Sequence, residues 1–98
     1  MNMQAMLKQA QKMQKDMMKE KNEIDEATYE GNSQLITVKA KGTKEIVEVK
    51  IDADALEKDD IEMLEDMITV AINDLFKKID ADTESKMGKY TKGMPGLF

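Results

Sequence analysis

The chain has 98 residues, a formal net charge of −5, and no Cys or His; all 15 of its basic residues are lysine. That length holds one small domain, and the missing residues exclude a disulfide framework, a thiolate metal site, a Ser-His-Asp triad and the bidentate Arg contact to guanine. Apolar residues are 41% and charged residues 36%, and no apolar run approaches the roughly 20 residues of a membrane span.

Residues from about Gln4 to Asp25 read as a helix, being rich in Met, Leu, Gln, Lys, Glu and Ala, with no Gly or Pro before Gly31. Apolar residues at Met3, Met6, Ala10, Met13, Met17 and Ile24 are spaced by three and four, a narrow seam close to a heptad. Leu7 and Met18 widen it, and Glu20 holds its one polar position. Lys8, Lys12, Lys15 and Lys19 step by four, three and four, so they share another face. Residues 1–22 carry five lysines against two acids, a net +3, which leaves −8 for the other 76 residues.

The next segment, ATYEGNSQLITVKAKGTKEIVEVKID, alternates apolar and polar residues. Ile36, Val38 and Ala40 form one such row, and Val47, Val49 and Ile51 form another. β-Branched residues at period two predict half-buried antiparallel strands. With turns at Gly31-Asn32-Ser33 and Lys41-Gly42-Thr43 and a short first strand over Ala27–Glu30, the segment predicts a three-stranded meander. Lys39 and Lys41 opposite Glu48 and Lys50 suggest cross-strand ion pairing.

Asp52 to Lys58 reads as a linker. A second long helix is expected from Asp59 or Asp60 to about Met87, with Asp59 and Glu62 resembling a capping box. Its apolar stripe is wider than the first: Ile61, Leu64, Met67, Ile68, Ala71, Ile72, Leu75, Phe76 and Ile79. Such a stripe meets two surfaces, so Met67, Ile68, Ala71, Ile72 and Leu75 are expected to form the sheet-facing core and a dimer contact. So small a chain often gains core by oligomerising. Gly88, Gly93, Pro95 and Gly96 predict a flexible tail over 88–98, leaving a single domain over 1–87.

Methionines at helical spacing point to packing rather than to copper(I) binding. A helix with one Leu and no aromatic residue is a poor membrane-surface element. Asp52 and Asp54 begin like a calcium loop, but Leu56 and Glu57 hold the positions of a ligand and a glycine. No catalytic carboxylate pair stands out, so neither enzyme activity nor a cofactor is expected. The lysine ridge reads either as an ordinary solvated face or as a polyanion-binding footprint. The absence of disulfides and of an apolar leader predicts a cytoplasmic protein.

Four stretches in order, MLKQAQKMQ, VKAKGTKEIVEVKID, EMLEDMITVAINDLFKK and KGMPGLF, resemble the YbaB/EbfC family of small bacterial nucleoid-associated DNA-binding proteins. The resemblance implies an α+β fold: a long N-terminal helix, a three-stranded antiparallel sheet and a long C-terminal helix. It also implies a homodimer with projecting helical arms, and binding to double-stranded DNA in the nucleoid with little sequence preference. On that reading Lys8, Lys12, Lys15 and Lys19 meet phosphates, and Lys86, Lys89 and Lys92 add contacts. Without Arg, that binding is expected to be weak and salt-sensitive, through backbone and shape. The alternative is a dimeric adaptor whose methionine-rich helix binds a partner protein.

Overall fold

The computed structural model describes residues 2–93, with side chains as far as Tyr90. Helix α1 spans Met3–Glu26. Asn2 caps it, its side-chain oxygen accepting from the Gln4 N–H at 3.0 Å, and an extended Ala27 ends it. Strands β1 (Thr28–Ser33), β2 (Ile36–Lys41) and β3 (Ile46–Ile51) follow as an antiparallel meander in the order β1-β2-β3. A single 3₁₀ turn, Lys58–Asp60, leads into α2, which spans Ile61–Gly93.

Three expected boundaries move, each for a physical reason. Gly31 is not a turn residue: it pairs with Val38 inside β1, and the turn lies at Gln34-Leu35, with Gln34 at φ 46°. A Cβ at Gly31 would stand 2.3 Å from the Ala71 carbonyl oxygen, so a glycine here lets strand and helix touch. The second helix starts at Ile61, preceded by a cap in which the Glu57 N–H donates to the Asp60 carboxylate at 3.0 Å, rather than by a pairing of Asp59 with Glu62. At the other end, α2 continues past Met87 to Gly93 because Met87 and Tyr90 are buried against α1. Residues 94–98, the last part of the expected tail, lie outside the described residues.

The main core is thin. Ile36, Val38 and Ala40 of β2 meet Met67, Ala71, Leu75 and Ile79 of α2. Of the residues expected in the core and dimer contact, Met67, Ala71 and Leu75 are buried against the sheet, whereas Ile68 and Ile72 are half-buried beside it. Polar bonds fasten α2 to the β1 edge. Lys78 donates to the Glu30 carbonyl at 3.0 Å and pairs with Asp74 at 3.1 Å. That lysine, and then the Asn32 N–H, hold the Asp74 carboxyl below its usual range.

Helix α2 crosses β1 and β2 and leaves β3 uncovered. Register places Val49 opposite Val38, Ile51 opposite Ile36, and Ile46 opposite Ala40, so these three share the core-side face. Val47 is the extra residue of a β-bulge between the Lys39 and Ala40 pairings, and this displaces it from the expected apolar row. On the outer face Lys39 and Glu48 form the expected cross-strand pair at 3.5 Å.

A second small cluster joins the helices: Ile24, Met87 and Tyr90, with Met17 packed alongside. The helices run antiparallel here, and they overlap only at these ends. At 1.5 Å per residue α1 is about 36 Å long and α2 about 50 Å. An overall length of 71 Å therefore leaves roughly 15 Å of overlap, and the first half of α1 projects as an arm.

Candidate nucleic-acid interface

The arm has two opposed faces. Successive helical residues turn by about 100°, which sets the centre of the lysine row roughly 160° from the centre of the methionine seam. Lys8, Lys12, Lys15 and Lys19 are all exposed. Among the described residues, none of the four has a carboxylate within ion-pairing distance. Lysine is a compact, mobile point charge, suited to phosphate oxygens and unsuited to forked base recognition.

The other predicted lysines stand elsewhere. Lys86 pairs with Asp82 at 3.0 Å, and the Tyr29 hydroxyl donates to the same carboxylate. That phenol bond, then Lys86, lowers the Asp82 pKa, while burial and the Asp82 charge push Tyr29 up to about 12. Lys89 reaches across to Glu20 at 2.9 Å and lies 5.1 Å from the centre of the Tyr90 ring. The Glu20 carboxylate raises its pKa. Both lysines thus already hold anionic partners within the chain. The backbone at Lys92 is helical, but its side chain lies outside the described residues. The arm lysines and the helix-end lysines therefore form two groups of different character.

Two features were not singled out from the sequence. Glu23 and Glu26 share a shallow groove with Lys12, Lys15 and Lys19, so the positive row ends against acids where the arm joins the body. On the outer sheet face Lys41 and Lys50 are free of ion pairs among the described residues, whereas Lys39 is offset by Glu48. The signal for Glu23 and Glu26 was present, four and seven residues beyond Lys19. A spacing that counts lysines alone carries no trace of it. Among the described residues no group of His, Cys, Asp and Glu could hold a metal ion, and no helix is long and apolar enough to cross a membrane.

Comparison with known proteins agrees with this architecture. The family model described as the YbaB/EbfC DNA-binding family matches residues 1–94. A nucleoid-associated protein of Oceanobacillus iheyensis is 48% identical over 99% of this chain and 97% of its own. Nucleoid-associated proteins of Enterococcus faecalis and Ligilactobacillus salivarius are 42% and 40% identical, over 98% and 99% of this chain and 94% and 95% of theirs. The crystal structure of an uncharacterized Helicobacter pylori protein, only 18% identical, has the same fold with a TM-score of 0.72, covering 92% of this chain and 97% of that one.

Proposed function

The chain belongs to the YbaB/EbfC DNA-binding family, and from that premise we propose that it binds duplex DNA in the bacterial nucleoid as a homodimer, through phosphate contacts with little sequence preference. The observation that carries this reading is the unpaired lysine row on a projecting arm, in a chain whose remainder is strongly acidic. An acidic body repels DNA while the arm attracts it, so the charge pattern orients the molecule as well as binding it. Lys8, Lys12, Lys15 and Lys19 make the primary contacts. Lys86 and Lys89 contribute only by sharing or releasing Asp82 and Glu20, and Lys92 is kept with them as a secondary candidate.

The homodimer supplies a second arm, and eight arm lysines in place of four. Its support is the open apolar trough between β3 and α2, formed by Ile46, Val49 and Ile51 on one side and Leu64, Ile68, Ile72 and Phe76 on the other. Nothing in the reading calls for catalysis, a metal or a cofactor, and the family is one of DNA binders rather than enzymes.

Salt dependence tests the reading. Four phosphate contacts give a slope of log K against log salt of about −3.6, and eight give about −7. Changing Lys8, Lys12, Lys15 and Lys19 to Gln is expected to abolish most of that slope and to weaken binding to every duplex alike. Unchanged affinity and slope in the fourfold variant would remove the arm from the interface.

A further inference from the structure

Among the described residues nothing covers the outer half of the methionine seam. Met3 is 82% exposed, Met6 51% and Leu7 61%, and with Ala10 they line a shallow apolar concavity. Met13, 39% exposed, continues the seam toward Met17, which packs against the Met87 and Tyr90 cluster. A continuous apolar strip on a highly charged chain marks an interaction surface.

We infer that this strip pairs with the same strip on the arm of a second copy, the two arms running antiparallel. Charge specifies the occupant. With Met3, Ala10 and Met17 at heptad position a and Met6 and Met13 at d, the flanking positions e and g hold Leu7, Gln9 and Gln14, none of them charged. Lys8, Lys12, Lys15 and Lys19 all fall at c or f, on the far side. Two such seams close without setting like charges together, and both lysine rows stay outward. Charge also sets the direction. Residues 1–22 carry +3 and the other 76 carry −8, so a parallel pair holds two acidic bodies side by side, whereas an antiparallel pair points each basic arm at the other's acidic body. Shape agrees. When Met3 faces Met13 of the second copy, Met6 faces Ala10, so each central layer joins one large side chain to one small; parallel register stacks Met6 on Met6 and Ala10 on Ala10. The polarity already exists within the chain. Helix α2 lies antiparallel along the inner seam, packing Met87 and Tyr90 on Ile24 and Met17 and bonding Lys89 to Glu20. Its last residue, Gly93, stands about 6 Å nearer the arm tip than Glu20, roughly level with Asp16. The second arm takes up the seam beyond that level, in the direction of α2. Met3 to Met13 spans only about 15 Å along α1, too little to bury the roughly 1,200 Å² of a stable interface. The pairing is therefore weak between dilute chains and populated where copies are held close. Its use on DNA rests on the function proposed above: molecules crowded on one duplex link arm to arm, with their lysine rows left for phosphate.

Disulfide trapping in the full chain, without DNA, tests this, since the native sequence has no Cys to interfere. Met3→Cys and Met13→Cys chains are mixed at high micromolar concentration in a glutathione redox buffer. They should link to each other about tenfold more than either links to its own kind, because like positions of an antiparallel pair lie well beyond the roughly 7 Å that a disulfide tolerates. Lys12→Cys, on the opposite face, mixed with Met13→Cys gives the collisional background. Met6→Glu added to both seam variants sets an acid into each central layer and should return the mixed link to that background. Three results would each overturn the inference. A mixed link no higher than background would mean that the seam stays open or is covered by another part of its own chain. Links between like positions in excess would make the pair parallel. A mixed link that survives Met6→Glu would place the contact off the seam. Duplex binding enters none of these readouts, so a chain that failed to bind DNA would leave them unchanged.

Discussion

At the scale of single residues, the contact between β1 and α2 is decided by the absence of one carbon atom. Gly31→Ala would place Cβ 2.3 Å from the Ala71 carbonyl and 2.6 Å from Leu75 Cβ, and the first of these is backbone that cannot turn aside. Overpacking of this kind costs about 1–3 kcal/mol, so the urea midpoint should fall. Gly88→Ala is the contrast. Among the described residues its Cβ would meet the Glu84 side chain, at 3.4 Å, an ordinary contact distance, within a helix where Ala is favoured over Gly by about 0.5–1 kcal/mol. That substitution should raise the midpoint, and equal effects from both would contradict the packing account. The Tyr29–Asp82 bond makes a prediction of its own. A lowered Asp82 pKa gives stability that is present above the ordinary carboxylate range and is lost as pH falls through the folded value. A raised Tyr29 pKa gives stability that is complete below about pH 10 and is lost as pH rises through about 12. In a Tyr90→Phe background Tyr29 is the sole tyrosine, and its absorbance titration should centre near 12. A midpoint at the free-phenol value would mean the bond does not form. Tyr29→Phe should lower the plateau by about 1 kcal/mol and flatten both limbs, because the Asp82 shift shrinks and no phenol remains at this position to ionise.

At the scale of elements, periodicity carried the sequence reading far, and its failures have physical causes. Both long helices and the three strands were legible because apolar spacing switches from three and four to two and back again. Gly31 misled because glycine signals a turn and a close approach equally well, and only the position of α2 distinguishes them. The bulge at Val47 left no mark in the sequence, since one extra apolar residue in an apolar strand looks like continued alternation. Propensity alone ends α2 six residues early, because Gly88 lowers it, whereas burial of Met87 and Tyr90 against α1 outweighs that loss. The candidate site was legible to the same degree. The spacing of Lys8, Lys12, Lys15 and Lys19 shows a shared face, but the partner of Lys89 lies 69 residues away at Glu20, beyond any local pattern. The acids at the base of the ridge supply the prediction for α1. Glu23 and Glu26 share the groove of Lys19 and Lys15, so if the proposed phosphate contacts form there, Glu23→Gln/Glu26→Gln should tighten duplex binding at low salt. The gain should shrink as salt screens it. Weaker binding in that variant would show that DNA does not reach this end of the ridge.

At the scale of the whole molecule, the proposed homodimer would link stability to DNA binding through one exposed surface. Strand β3 is an edge strand with every residue exposed, and Ile46, Val49 and Ile51 on its core-side face are 39–48% exposed. An uncovered apolar edge invites association, and here it shows little of the charge that would prevent it, since Glu48 and Lys50 lie on the opposite face. A second copy seated in the trough would cover β3 and the half-buried row Leu64, Ile68, Ile72 and Phe76 together, enlarging a core that is thin for a chain of 11.1 kDa. Val49→Asp places a charge in that trough. Because Val49 is 48% exposed in the single chain, the change should leave the monomer's own fold nearly intact. It should therefore reduce the solution mass from twice 11.1 kDa to once, while Lys50→Asp on the outer face leaves the mass unchanged. A native chain that scatters as a monomer at micromolar concentration would end the dimer proposal. The same variant also connects self-association to DNA. With one arm per particle, the salt slope of duplex binding should drop from about −7 toward −3.6, although all four arm lysines remain. An unaltered slope in a proven monomer would mean that one arm makes every contact and that the second copy serves stability alone.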